Sequence, residues 1–477
     1  MKEKIFREYD IRGVYPEEIN GEVAYKIAVA FSKYLIQEIN KKENIWVAVG
    51  MDVRKSSPEI KDGIIKGFID SGINVIDLEM VPTPVLYFSL FINLVPLDKK
   101  LQKVDGGVMI TASHNPPEFN GVKLCVGPNA LYGEKIKEIY RIIQRNEVVS
   151  SDKKGEVVKY DIISDYVNFL TGHFYKLKRL FSEFKKPIIA VDCGNGTAGP
   201  VIKRILDNLE IKYIPLFFEP DGNFPNHHPD PTVPEYVKEL SKTAKQKKLF
   251  CGIGYDGDSD RLGAVDSKGE VVYGDKLLLL FSKYVIKEFG TKQKPKFIGE
   301  VKCSQVLFDG IKKLGGEPII YRTGHSLIKE KMKKENALLS GEMSGHMFFN
   351  DRYFGFDDAI YSSLRLLEII GLEKKPLDKI IRFIPKTYNT PEIRIESSDE
   401  KKFEIVEKLK QELKKLKMKF IDIDGVRVQF PDGGFGLVRA SNTQPVLVLR
   451  FEAKSQKLLE HHRKFVVDLL KKVEKEV

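Results

Sequence analysis

Between residues 256 and 261 the chain reads DGDSDR, with Asp256, Asp258 and Asp260 at alternate positions directly after the apolar run LFCGIGY. A loop that curls about one point can aim all three carboxylates at it, and converging carboxylates repel one another unless a cation neutralises them. Hard oxygen donors suit Mg2+ or Ca2+. An EF-hand is excluded, because its sixth loop position would be Arg261 instead of glycine and its twelfth Ser267 instead of glutamate. A polar turn with solvated aspartates is the plainer alternative, since Asp-Gly is common turn chemistry.

A second stretch, GGVMITASHNPPEFNGVK at 106 to 123, sets Ser113 beside His114. Neighbours in an extended segment usually point in different directions, so adjacency argues against a Ser-His nucleophile pair. The G-x-S-x-G elbow of the α/β-hydrolases is also absent. The segment reads as a buried strand, Gly107 to Ile110, followed by a polar turn of Thr111, Ser113, Asn115 and Pro116-Pro117. Ser113 is thereby expected at a strand's carboxyl end, where open α/β sheets bind ligands; a plain loop serine with a satisfied histidine is the competing reading. Mg2+ held by three carboxylates completes its shell with phosphate oxygens or water, and a phosphorylated Ser113 would supply such a ligand. Phosphoryl transfer rests on positioning and charge neutralisation, so cations are expected nearby, with Arg261, Lys123, Arg12 and Arg54 as candidates.

Two further loops fit a sugar phosphate. GEMSGH at 341 to 346 places Glu342 and Ser344 at alternate positions, able to face the hydroxyls of one ligand. RASNTQP at 439 to 445 gathers Arg439, Ser441, Asn442 and Thr443 in one turn, where a guanidinium, hydroxyls and amides can hold a phosphate dianion. Read singly, Glu342 is equally an ion-pair partner and SNT a plain turn or helix cap.

The elements that must carry these loops are β-rich runs that stop at polar or glycine-rich turns, with helical periodicity around them: NIWVAVGMDVRKSSP and GGVMITASHNP, then PIIAVDCGNGTAG and LFCGIGYDGDSDR, then KFIGEV and ALLSGEMSGH. Alternating strands and helices imply α/β layers with largely parallel strands. The polar stretches 150 to 161 and 383 to 402 read as linkers. Beyond the second, a helix at Phe403 to Met418, the strands GVRVQF, FGLVRAS and PVLVLRFEA, and a helix from Gln456 make a small α+β domain.

A chain of 477 residues exceeds one core and suggests three or four domains. Its 30% charged and 42% hydrophobic residues are an ordinary globular balance. The cysteines at 125, 193, 251 and 303 form no C-x-x-C pair, which argues against a zinc knuckle or secreted disulfide framework and for a reducing cytoplasm. No secretory signal is read at the amino terminus, and VPTPVLYFSLFINLVPL is interrupted by Pro84 and Pro96 and too short to span a membrane, so no membrane partner is expected. The net charge of +11 is spread over Lys/Glu-alternating helices, a solvated face more than a nucleic-acid groove.

Six segments in order, YDIRG (9 to 13), TASHNP (111 to 116), DGDSDR (256 to 261), TGHSLIK (323 to 329), GEMSGH (341 to 346) and RASNT (439 to 443), resemble the α-D-phosphohexomutase superfamily, most closely its phosphomannomutase/phosphoglucomutase branch. The resemblance implies four domains around a central cleft, three related mixed α/β sheet domains and a smaller C-terminal α+β domain. They are placed at 1–157 (phosphoserine), 158–266 (metal), 267–386 (sugar recognition) and 387–477 (phosphate binding). It implies that Ser113 is the phosphoserine and that Asp256, Asp258 and Asp260 bind Mg2+ with it. Glu342 and Ser344 would read sugar hydroxyls, and Arg439, Ser441, Asn442 and Thr443 would clamp the distal phosphate. Tyr9, Arg12, Lys123, Arg261, His325, Lys329 and His346 would complete the site, with Lys123 and His346 as acid/base candidates. The implied reaction moves a phosphoryl group between the 1- and 6-positions of glucose or mannose phosphates, with glucose 1,6-bisphosphate as activator and intermediate, in a cytoplasmic monomer or homodimer. Phosphoglucosamine mutase is the in-class alternative, against which GEMSGH and SNT stand where that branch tends to show GEQSGH and an SGT-type clamp; a metal-dependent phosphatase using Ser113 is the alternative from a second enzyme class. One departure is Met51 in GMDVR, where the family pattern leads one to expect arginine.

Overall fold

The apolar runs become sheet strands in the computed structural model, which describes residues 1–476 apart from 98–99, 148, 150, 152, 291–292, 399 and 442–444. The chain divides into two compact units, Met1–Gly274 with Ser344–Ile380, and Asp275–Met343 with Ile381–Val477.

In the first unit the leading sheet runs Ile11–Val14, Phe119–Val126, Gly106–Ile110, Trp46–Met51, Asn74–Met80 and Val157–Lys159. Trp46–Met51 pairs in parallel with Gly106–Ile110 and Asn74–Met80, while Phe119–Val126 returns antiparallel. Gly106–Ile110 is buried throughout, as a parallel strand covered on both faces must be, which explains its unbroken apolar run. The helix Gly21–Ile39 starts where Asn20 accepts a hydrogen bond from Val23 N at 3.0 Å and stops at Asn40 in the left-handed region. Its Phe31 meets Phe68 of the helix Ser57–Asp70 over Val47, Val49 and Val108.

The second sheet orders Tyr213–Leu216, Ile189–Asp192, Cys251–Tyr255, Leu262–Asp266 and Val271–Val272. Cys251–Tyr255 and Leu262–Asp266 form a hairpin in which Tyr255 faces Leu262, so the whole DGDSDR stretch is its connecting loop. The helix Ala359–Glu373 is apolar nearly all round and correspondingly buried nearly all round. Asp358 caps it by accepting from Tyr361 N, and its Oδ2 also accepts from the hydroxyls of Tyr166 and Tyr353, each bond 2.8 Å. Burial nevertheless pushes the Asp358 carboxyl up to about 6.

In the second unit Glu317–Tyr321, Lys296–Glu300 and Leu339–Gly341 lie parallel. An antiparallel sheet of Tyr388–Asn389, Val446–Ala453, Phe435–Ala440, Val426–Gln429 and Phe420–Ile421 follows, with Ile393–Glu396 also paired to Val446–Ala453. The helices Lys401–Lys415 and Gln456–Glu474 lay Ile405, Leu409, Leu413, Val466 and Leu470 on it at helical spacing. Buried Arg427 ties the two sheets of this unit, donating to Cys303 O at 2.8 Å and lying 3.6 Å over the Phe435 ring.

Two expectations are corrected. The stretch 150 to 161 is no plain linker, because it contains the strand Val157–Lys159, and 383 to 402 contains Tyr388–Asn389 and Ile393–Glu396. All three residues of Val157–Lys159 are exposed, and a solvated edge strand needs no apolar alternation, so its composition mimics a loop. No described helix is long and apolar enough to cross a membrane.

Candidate active site

Ser113 follows the strand Gly106–Ile110 and lies in the left-handed region at φ 50°, a conformation that non-glycine residues adopt only when their surroundings impose it. Thr111 Oγ1 accepts from Ser113 N at 2.8 Å. Buried Arg54 fixes the rest of the turn: its Nη2 donates to Ser113 O at 2.8 Å and Asn115 O at 2.6 Å, its Nη1 to Phe119 O at 2.9 Å, and its Nε to Asp52 at 3.0 Å. Arg54, expected as a cation facing phosphate, is therefore committed to the backbone of the serine loop. Arg12, paired with Asp10, donates to the Asn115 side chain at 2.7 Å.

Ser113 Oγ donates to Asp256 Oδ2 at 2.8 Å and lies 3.1 Å from His114 Nδ1. The expectation that adjacent side chains diverge is thus wrong here, because the left-handed turn at Ser113 replaces the extended geometry on which it rests. Burial, reinforced by Arg261 and Arg12, holds His114 well below the usual imidazole range, so the ring is neutral at pH 7.

Asp256, Asp258 and Asp260 are at most 1% exposed, and one oxygen from each lies within 4.8 Å of the others. The hairpin loop aims them inward because Asp256 Oδ1 accepts from the amides of Asp260 and Arg261, both at 3.0 Å. It presses closely on the serine loop: a Cβ at Gly257 would stand 2.6 Å from Ser113 O, so only glycine fits. Asp258 Oδ2 accepts from Thr83 Oγ1 at 2.7 Å and Lys123 Nζ at 2.9 Å, and Lys123 also donates to Asp260 Oδ2 at 2.6 Å.

Burial, then the neighbouring Asp260 and Asp258, drive the Asp256 carboxyl well above its ordinary range. Asp260 is driven the other way: burial opposes its charge, yet Lys123 and His346 outweigh it. Asp258 Oδ1, buried, finds no hydrogen-bond partner among the described residues. Three buried carboxylates faced by the Lys123 ammonium and by the Arg261 guanidinium, 3.9 Å from Asp256, with that unsatisfied oxygen among them, suit a hard divalent cation. Lys123 is buried against its own charge, but Asp258 and Asp260 more than compensate and raise its pKa, so it keeps its proton. That favours a fixed cation over a proton shuttle.

His346 joins this cluster through backbone pairing with Arg261. Its Nδ1 lies 3.1 Å from Ser344 Oγ, and its Nε2 lies 3.2 Å from Asp260 Oδ1 and 3.4 Å from Arg261 Nε. Nε2 can donate to the first or accept from the second, not both at once. A second set, Asp260, His346 and Asp357, also brings ligand atoms within 4.8 Å. Tyr9 lies half-buried ahead of the strand Ile11–Val14.

In the second unit, buried Glu342 accepts from Gly324 N at 2.8 Å. His325 opens the helix His325–Glu335, and Lys329 follows one turn later. Arg439, on Phe435–Ala440, faces Asp424 with Nε–Oδ2 at 3.2 Å and Nη2–Oδ1 at 3.4 Å. Ser441 N donates to Val446 O at 3.0 Å, whereas Asn442 and Thr443 lie outside the described residues.

Sequence reasoning missed four residues: His114 as a contact of Ser113 Oγ, Thr83 beside Asp258, Asp424, and Lys302. The last stands within 4 Å of Glu300 and Glu392, with Glu342 and Arg439 also acting on its charge. Lys302 follows the strand Lys296–Glu300, and that strand-end position is the signal that could have found it. Thr83 has no comparable signal.

Four family models match in succession, described as phosphoglucomutase/phosphomannomutase alpha/beta/alpha domain I (residues 3–149), domain II (164–269), domain III (273–388) and C-terminal domain (392–469). A phosphomannomutase/phosphoglucomutase of Pseudomonas aeruginosa is 42% identical over 470 residues, 98% of this chain and 96% of its own. A phosphoglucomutase of Neisseria gonorrhoeae is 41% identical over 460 residues, 96% and 94% of the two chains. A solved phosphoglucomutase/phosphomannomutase family protein from Burkholderia thailandensis superposes with a TM-score of 0.88 at 36% identity, covering 99% of this chain and 98% of that one. With four domain models in order and relatives matched end to end, the chain belongs to the phosphoglucomutase/phosphomannomutase family.

Proposed function

We propose that this phosphohexomutase moves a phosphoryl group reversibly between the 1- and 6-positions of glucose or mannose phosphates, by way of phosphorylated Ser113 and a hexose 1,6-bisphosphate. The observation that carries the reading is Ser113 Oγ set 2.8 Å from Asp256, one of a buried triad in which Asp258 Oδ1 has no hydrogen-bond partner among the described residues. Asp256, Asp258 and Asp260, with a Ser113 phosphate oxygen, would hold Mg2+, which when bound would polarise the phosphoryl group and offset its charge.

In the forward half-reaction the Oγ–P bond of Ser113 breaks, a substrate hydroxyl oxygen forms the new O–P bond, the hydroxyl proton passes to a base, and the released Ser113 oxygen takes up a proton to restore the serine hydroxyl. His346 suits that base, with Asp260 and Ser344 at its two ring nitrogens. Lys123 and Arg261 serve as fixed positive charge, and Arg12 holds Asn115 in the serine loop. In the second half-reaction the other phosphate of the bisphosphate returns its phosphoryl group to Ser113, so recognition must work in two orientations. Glu342 and Ser344 toward mid-ring hydroxyls, with Arg439, Ser441, Asn442 and Thr443 toward the distal phosphate, would allow this, and Tyr9, His325 and Lys329 would add binding contacts. Exclusion of water would protect the phosphoserine from hydrolysis.

Domain boundaries at 1–157, 158–266, 267–386 and 387–477, a monomer or homodimer, and a cytoplasmic location complete the reading; the four free, buried cysteines suit a reducing compartment. Coupled assays test it, with glucose 1-phosphate, mannose 1-phosphate and glucosamine 1-phosphate each supplied with Mg2+ and trace glucose 1,6-bisphosphate. EDTA-sensitive turnover of the first two is expected. Turnover confined to glucosamine phosphate would move the chain to the neighbouring activity, and release of inorganic phosphate alone would make it a phosphatase.

A further inference from the structure

A guanidinium on a long flexible stem meets phosphate in a defined geometry only if its own orientation is set beforehand. In the second unit Asp424 faces two nitrogens of Arg439, at 3.2 and 3.4 Å, and both residues are buried, at 8% and 7% exposure. The turn that carries Asp424 lies directly on Arg439. Gly425, at φ 86°, would bring a Cβ to 2.4 Å from Val438 O and 2.6 Å from Arg439 Cβ, so the approach exists only because residue 425 has no side chain. Asp424 Oδ2 accepts in addition from Thr323 N at 3.1 Å, and the next amide, Gly324 N, donates to Glu342 Oε1 at 2.8 Å. Two successive amides therefore hold two carboxylates, one orienting Arg439 and the other belonging to the candidate hydroxyl reader. Thr323 Oγ1 anchors the same turn to Glu300 Oε2 at 2.6 Å.

We propose that Asp424 is a positioning residue for substrate binding: it sets the guanidinium of Arg439 and couples it, through the Thr323–Gly324 turn, to Glu342. This rests on assigning Arg439 to phosphate recognition in the proposed mutase. A guanidinium carries five donors on more than one edge, so pairing with a carboxylate and contact with a phosphate are chemically compatible.

The test is a double-mutant cycle on the full-length protein, with the Kd for glucose 1-phosphate measured by calorimetry for wild type, Asp424→Asn, Arg439→Ala and the double variant, and melting curves recorded for each. Asp424→Asn is expected to weaken binding about tenfold, and to add almost nothing once Arg439 is alanine. Asp424→Glu, which keeps the charge, should recover much of the loss, and Asp424→Ser serves the same cycle if the asparagine variant folds poorly. Unchanged or tighter binding by Asp424→Asn, effects that multiply in the double variant, or no glucose 1-phosphate binding by the wild type would each overturn the proposal. Wild-type turnover, assayed separately, decides the mutase reading on its own: binding that depends on Asp424 without turnover would keep the positioning role and remove the mutase.

Discussion

Ser113 and Arg439 are both presented from sheet strands, yet they are fixed in different ways. The serine turn is gripped by a buried arginine that donates to several carbonyls, and its hydroxyl meets a carboxylate fixed in turn by two amides. Arg439 meets Asp424 through longer contacts, from an element that reaches it across a glycine. The contrast fits a division of labour in the proposed mechanism. A reacting oxygen misplaced by an ångström loses rate steeply, whereas a binding contact remote from the reacting atoms acts on affinity more than on rate.

Ser113→Ala should abolish turnover while hexose phosphate binding, followed by calorimetry, stays largely intact. Asp258→Asn comes next. It removes one charge from the triad, and turnover at saturating substrate should fall about a hundredfold or more, with a raised Mg2+ requirement in the titration. Retained turnover would separate the triad from the chemistry.

Asp358→Asn probes the framework of the same unit. Its carboxyl sits at about 6 against an ordinary 3.8. Because the folded protein raises this pKa, Asp358 favours folding most below about pH 4, and that contribution is lost as pH rises through about 6. The stability difference between wild type and Asp358→Asn, from denaturant melts, should therefore decline by up to about 3 kcal/mol between pH 4 and 6. A flat difference would remove the titration from Asp358. Arg439→Ala, on the softer side of the comparison, should cost on the order of 1.5 to 3 kcal/mol in hexose phosphate binding. If it lowered kcat as severely as Asp258→Asn does, the two regions would not differ in the way described.

Local chemistry made much of this legible. Alternate aspartates after an apolar run announced a loop at that strand's end, though not that it closes an antiparallel hairpin, and apolar spacing announced the closing helices, which begin within a few residues of where periodicity placed them. Non-local contacts were not legible. Arg54 lies 62 residues from Pro116, whose carbonyl it binds, and Thr83 lies 175 residues from Asp258; no pattern in a single sequence couples such positions. Edge strands were hidden because solvent satisfies one side of them and relaxes their composition. His114 was misjudged because a left-handed turn at a serine cannot be read from its neighbours.

The most direct measurement is a phosphate chase. The purified protein is loaded with glucose 1,6-bisphosphate carrying labelled phosphate, the label is mapped by peptide mass spectrometry, and unlabelled glucose 1-phosphate is then added with Mg2+. Label is expected on Ser113, moving into hexose bisphosphate during the chase and absent from Ser113→Ala. Label that never attaches to Ser113, or that leaves only as inorganic phosphate, would contradict the proposed mechanism.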